Sequence, residues 1–181
     1  MGAVFYLMRH ADTDWPLVNG RHLVGAANDL APLTDRGVRQ VEAAVKQVRR
    51  LGVRLILASP VTRALQTAAL VSRALDLPLV VEFDLHEWVP DLTYRWTTPE
   101  QVLALIENMR QHGGEWPSTQ SQPAWEPMSA VRQRSLGVLA RYASATYPIA
   151  AVTHGGVVES LTGRSVGLTE IVPYEFPSPP A

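Results

Sequence analysis

The chain of 181 residues contains no cysteine. Disulfides, thiolate nucleophiles and cysteine-ligated zinc are therefore excluded. Charge is sparse as well: 18% of residues are Asp, Glu, Lys or Arg, and the net charge is -1. No basic excess or stripe exists, so no nucleic-acid partner is expected. No apolar run approaches the length of a transmembrane helix, and no membrane partner is expected. The N-terminus lacks a basic region followed by a long apolar stretch, and Tyr6 breaks the myristoylation pattern that Gly2 would begin. The expected location is the cytoplasm. Internal repeats, low-complexity tracts and dividing linkers are also missing.

What is present is an ordinary hydrophobic fraction of 46%, enough for a single domain over 1–181 with a sizeable core. Val4 to Met8 run without a polar break, as in a strand buried on both faces of a parallel sheet. Arg9 and His10 stop the run. A long loop is expected from Asp12 to Pro32, of a length that is often functional. Thr34 is placed to cap a helix over 35–51, with Val38, Val41, Val45 and Val48 at helical spacing. Residues 54–58 read as a second strand. Ser59-Pro60 reads as the cap and first residue of a helix to Leu75, with Val61, Leu65, Ala68, Ser72 and Leu75 inward. Residues 79–83 read as a third strand, followed by Leu85-His86-Glu87-Trp88.

Residues 88–127 break the alternation of strand and helix. They hold Trp88, Trp96, Trp116 and Trp125, and Thr98-Pro99-Glu100-Gln101 looks like a capping box for a helix to His112. The segment reads as a cap inserted over the strand ends, with a loop over 117–123. A helix over 128–146, a strand over 148–153 and a helix from His154-Gly155-Gly156 to Gly163 come next. Val172 to Phe176 reads as an edge strand, since Pro173 cannot donate to a ladder. The Pro-rich tail is expected to be loose.

The alternation implies a three-layer α/β/α sandwich with a mostly parallel sheet. Ligands of such sheets bind at the carboxyl ends of the strands. Arg9 and His10, Ser59 and Arg63, His86 and Glu87, and His154 all stand just after strand ends on that one edge. Two arginines suited to bidentate phosphate contact, one of them in the first turn of a helix, point to an anionic ligand. Gly155-Gly156 would let that ligand approach the next helix without a Cβ in the way.

These residues also carry a resemblance. Leu7-Met-Arg-His-Ala-Asp-Thr13 resembles the Arg-His-Gly signature of the histidine phosphatase superfamily, the phosphoglycerate-mutase-like proteins. Residues 58–68, Leu85-His86-Glu87, Thr153-His154-Gly155-Gly156 and 32–40 are similar to its further motifs, in the family's order. The resemblance implies that His10 is the nucleophile accepting the phosphoryl group. Arg9, Arg63 and His154 would hold the phosphate oxygens, with His154 a second catalytic histidine. Glu87 would be the general acid and then the base for water. No cofactor and no metal are implied. Ala11 stands for the usual Gly, and Pro16 stands where the family often has a phosphate-binding Asn, with Asn19 a candidate to compensate. His86 stands where the family often has Arg. Thr13, Asn19 and Trp88 are further candidates for substrate contact, and Trp88, Tyr94 and Trp96 suggest an apolar or sugar-stacking wall. His22, Arg95 and Arg110 are candidates for meeting additional acidic groups.

The function expected is a cofactor- and metal-independent phosphomonoesterase acting through a phosphohistidine on a small phosphorylated metabolite. The rival on the same site is a phosphoglycerate-type mutase, though the resemblance implies longer insertions in mutases. A metal hydrolase using His10, Asp12, Asp14 and His154 is disfavoured because Arg9 would stand beside the cation. A non-catalytic phospho-ligand binding module would need no proton donor at Glu87.

Overall fold

Alternation along three strands decides the architecture. In the computed structural model, which describes residues 3–117 and 124–176, β1 spans Val4–Arg9, β2 Leu55–Ala58 and β4 Ile149–Thr153. Phe5 and Leu7, Leu55 and Leu57, and Ile149 and Ala151 face one apolar layer, while Met8, Ile56, Ala58, Ala150 and Val152 face another. A strand whose successive side chains point to opposite faces can only bury both sets if each face is covered. The first face is covered by α5 (Met128–Arg141) and α6 (Gly155–Thr162). The second is covered by α2 (Asp35–Arg50) and α3 (Thr62–Leu75).

Among the described residues five strands form one sheet in the order β3-β2-β4-β1-β5, with β3 at Leu79–Val81 and β5 at Ile171–Glu175. The pairs β1–β4, β2–β4 and β2–β3 are parallel. β5 is antiparallel to β1 at the edge, with Pro173 opposite Tyr6, as the missing proline donor requires. The expected sandwich is therefore the observed one. No described helix is long and apolar enough to cross a membrane.

Several local expectations are corrected. The expected loop from Asp12 to Pro32 contains a helix, α1 (Trp15–Gly20), and a 3-10 turn at Gly25–Leu30. Asp14 caps α1 by accepting from the Leu17 N–H at 3.0 Å, and Pro16 occupies its first turn. The base of the segment is pinned: Thr13 bridges Leu33, and Asp14 N–H donates to the Pro32 carbonyl at 2.8 Å. Ser59 does not cap α3. That helix begins at Thr62 after Val61, and its buried face is Arg63, Ala64, Thr67, Ala68 and Val71, a different phase from the stripe expected. β3 stops at Val81, because residues 83–85 tighten into a 3-10 turn. α5 ends at Arg141 rather than 146.

The capping box at Thr98 is present, and it starts α4 (Pro99–Gln111). Trp125 is fully buried and Trp88 nearly so, in the core beside α5 and α6, with Trp116 packed on them. The loop expected after Pro117, over 118–123, and the tail beyond Phe176 lie outside the described residues.

Candidate active site

β1 ends by delivering Arg9 and His10 to the carboxyl edge of the sheet. The His10 N–H completes the ladder to the Thr153 carbonyl at 2.9 Å, which fixes the residue's backbone. Its Nδ1 lies 2.8 Å from the Ala11 carbonyl. A carbonyl only accepts, so Nδ1 carries the proton and Nε2 keeps its lone pair. Thr13, also buried, donates its hydroxyl to the same carbonyl at 3.3 Å. The Ala11 N–H donates to Thr67 Oγ1 at 3.1 Å, which ties the loop after β1 to α3.

The two arginines approach from different elements. Arg9 donates from Nη1 to the Val166 carbonyl at 2.7 Å, and its Nε is buried without a partner. Arg63, in the first turn of α3, is 5% exposed. Its guanidinium lies 5.3 Å from the Trp15 ring centroid and 3.4 Å from Asp29 Oδ1. Asp29 is half exposed, and such a pair contributes no more than about 1 kcal/mol. A dianionic ligand would displace it. The Arg63 Nε is also buried without a partner. Two buried guanidinium Nε–H donors without a partner thus lie near one imidazole, a donor set suited to an anionic acceptor.

His154 caps β4 and begins α6. Its Nε2 is 2.7 Å from Ser59 Oγ, and Ser59 Oγ accepts from the Val61 N–H at 3.2 Å. With the Ser59 hydroxyl donating to Nε2, the His154 proton is on Nδ1. That atom is buried, unpartnered, and 3.9 Å from Glu87 Oε2. The His154 and His10 ring centroids are 5.3 Å apart. His154 is fully enclosed.

Glu87 comes just after the 3-10 turn beyond β3. Its Oε1 accepts from the Trp88 N–H at 2.9 Å. Gly156 has its reason here: a Cβ would stand 2.6 Å from that oxygen and 3.3 Å from Trp88 Cβ. At Gly156 the missing Cβ makes room for the carboxylate. Behind Glu87 stands a network with no signature in the motifs. Arg134 donates to the carbonyls of Asp84, His86 and Glu87 at 2.7, 2.8 and 3.2 Å, and pairs with both oxygens of Glu126 at 2.7 and 3.0 Å. Glu126 in turn accepts from the Val89 N–H on its carboxylate and from Trp88 Nε1 on its carbonyl.

The electrostatics are set by burial. Desolvation first, then the Arg63 charge, lowers the pKa of His10 to about 3. The same two causes hold His154 well below the ordinary histidine value. Both imidazoles are neutral at pH 7. Burial pushes the Glu87 carboxyl up, against the opposing pull of Arg63, the Trp88 N–H, Arg9 and Arg134.

Arg9, His10, Arg63, Glu87, Thr13, Asn19 and Trp88 all line one cleft of about 1930 Å³. His154 is fully buried and does not line the cleft, though its ring lies 3.9 Å from Glu87 Oε2. His22, His86, Tyr94, Trp96 and Arg110 line it too, whereas Arg95 does not. Sequence reasoning missed Trp15, Asp29, Arg134 and Glu126, and took Ser59 for a helix cap. Asp12 and Asp14 are engaged elsewhere. Asp12 accepts from Thr34 Oγ1 and pairs with Arg36, while Asp14 caps α1. Among the described residues no three histidine or carboxylate side chains converge as metal ligands would.

The Proteus mirabilis protein named "Probable phosphoglycerate mutase GpmB" is 32% identical over 82 residues, 45% of this chain and 36% of that protein. Its Yersinia pestis counterpart is 34% identical over the same shares. The matched region thus spans about a third of the length of these curated relatives. Among solved structures, the native mycobacterial glucosyl-3-phosphoglycerate phosphatase superposes with a TM-score of 0.72 at 20% identity, covering 96% of this chain and 90% of that one. Bacillus stearothermophilus YhfR gives 0.68 at 24% identity, covering 89% and 78%. These structures share the fold. Residues 5–180 match the profile of the histidine phosphatase superfamily, branch 1, and the chain belongs to that superfamily of enzymes acting on phosphate esters.

Proposed function

We propose that the chain is a phosphomonoesterase working through a covalent phosphohistidine on His10, with no metal and no cofactor, on a small phosphate ester. The observation that carries the reading is the buried, neutral His10. Its Nδ1–H is held by the Ala11 carbonyl, which leaves Nε2 as a nucleophile between two arginines with unpartnered Nε–H groups. Arg9, Arg63 and the Nδ1–H of His154 bind the phosphoryl oxygens. Nε2 attacks phosphorus, the P–O ester bond breaks, and protonated Glu87 gives its proton to the departing oxygen. The Glu87 carboxylate then takes a proton from water as that water attacks the phosphohistidine, which returns His10, protonated Glu87 and inorganic phosphate. Positioning and charge stabilisation supply most of the acceleration in such transfers. On this reading 1–181 is one catalytic unit, and 88–127 caps it, since Trp96 and α4 line the cleft.

The test is trapping of labelled phosphate on the protein in an acid-labile, base-stable form. Activity should survive a chelator and fall to background in His10→Ala. Loss on chelation, restored by a divalent ion, would overturn the reading. Conversion of 3-phosphoglycerate to its 2-phospho isomer without phosphate release would replace it with the mutase.

A further inference from the structure

The cleft around the phosphate site is larger than a small phosphorylated acid fills, and exposed apolar side chains gather along it. Its volume of about 1930 Å³ exceeds the roughly 300–1,000 Å³ usual for a small-molecule pocket. Among the described residues, ten large apolar side chains are conspicuously exposed, and six of them line this cleft: Trp15, Val24, Leu30, Phe83, Tyr94 and Leu103. Single exposed apolar residues are ordinary, but their gathering around one concavity marks a ligand surface. They come from α1, the 3-10 turn after it, the turn after β3, the loop before α4, and α4 itself, so one amphipathic helix does not account for them. α4 buries no residue fully, yet it brings Val102, Leu103, Ile106 and Met109 to the cleft.

Charge points the same way. The cleft is lined by Arg9, Arg63 and Arg110, and by Asp12, Asp29, Glu87, Glu100 and Glu159. The phosphoryl group engages Arg9 and Arg63. Beyond that group the basic side chains of the lining are Arg110, His22 and His86, set among five carboxylates. The residues outside the described range add no charged side chain.

We propose that the substrate's leaving group is a bulky, uncharged, apolar alcohol, and that the cleft selects phosphate monoesters of that class over phosphorylated carboxylic acids. This rests on the phosphomonoesterase reading. The test compares kcat/KM for hexyl phosphate, glycerol 3-phosphate and 3-phosphoglycerate, whose leaving groups are all alcohols, with p-nitrophenyl phosphate as a check on turnover. Hexyl phosphate should lead 3-phosphoglycerate by tenfold or more, the scale on which apolar pockets discriminate. Leu103→Asp, at a position 63% exposed and so tolerant of a charge, should cut the hexyl-to-glycerol ratio severalfold at an unchanged melting temperature. A preference for 3-phosphoglycerate that is lost in Arg110→Ala would overturn this inference and leave the phosphatase standing. No turnover of any ester, p-nitrophenyl phosphate included, would overturn both.

Discussion

A proton donor must hold its proton at the pH where it works, and for the proposed donor, Glu87, burial shifts the carboxyl upward in that direction. Desolvation raises its pKa against three arginines and a backbone N–H, so burial is the dominant effect. The donor is needed most when the leaving group is an alkoxide and least when it is a nitrophenolate. General acid catalysis contributes roughly 10²–10⁴-fold where it is needed. Glu87→Gln should therefore lose at least tenfold more activity on an alkyl phosphate than on p-nitrophenyl phosphate. The wild-type rate on the alkyl ester should fall as pH rises through the elevated carboxyl pKa. An equal fractional loss on both esters would show that another group, such as His86, supplies the proton. Gly156 tests the same carboxylate from the other side. A Cβ there would collide with Glu87 Oε1, whose free end can turn aside. Gly156→Ala should fold, and its activity on alkyl esters should fall more than on the aryl ester. Unchanged activity would mean that the carboxylate's present placement is immaterial.

At the scale of elements, the central question is how the turn after β3 is held. β3 is short, with Val80 and Val81 exposed, and in the 3-10 turn beyond it Leu85 is buried in the core while Phe83 is exposed. Arg134 on α5 adds a polar constraint to that apolar anchor by donating to three carbonyls around Glu87. Its pair with Glu126 is largely enclosed, with side chains 12% and 11% exposed, and removing one partner of such a pair costs about 3–5 kcal/mol. Arg134→Met should lower stability on that order and also depress kcat on alkyl esters more than on p-nitrophenyl phosphate, because the donor is misplaced while His10 is not. Arg134→Lys should restore part of the stability and little of the kcat. A stability loss with both esters affected alike would make the network a brace and nothing more.

This network also shows where sequence reading stops. The sandwich, its strand ends and Arg9, His10, Arg63, Glu87 and His154 are legible because buried strands are locally apolar and their ends switch to polar residues within one or two positions. Arg134 and Glu126 are eight residues apart and some fifty and forty from Glu87, and nothing local distinguishes them from solvated charges. α1 is hidden because its cap at Asp14 and its Pro16 look like turn residues. Ser59-Pro60 has the sequence of a cap, but α3 begins only at Thr62, and the Ser59 hydroxyl joins the Val61 N–H to the imidazole of His154.

For the whole molecule, the buried imidazoles make folding depend on pH. His10 binds its proton near pH 3 when folded but near 6.5 when unfolded. Between these values the unfolded chain holds more protons, so stability falls as pH is lowered through that window. The slope approaches 1.4 kcal/mol per pH unit for each such group. His154 is shifted in the same direction and adds to the slope. Glu87 acts oppositely. Its folded pKa is raised, so its contribution is present below the unfolded value of 4.5 and is lost as pH rises through the folded value. One carboxyl against two imidazoles leaves net destabilisation on acidification from about pH 6.5. Urea unfolding at pH 7, 6 and 5 should show this fall, and His10→Asn, which has no proton to gain in this range, should reduce the slope by up to about 1.4 kcal/mol per pH unit. The sign is specific to histidines kept neutral by burial. Were His10 instead held protonated by a carboxylate, stability would rise on acidification, and replacing it would flatten a slope of the opposite sign. An unchanged slope in His10→Asn would show that the imidazole titrates freely in the folded protein, and so lacks the neutral, desolvated state from which a phosphoryl-accepting Nε2 works.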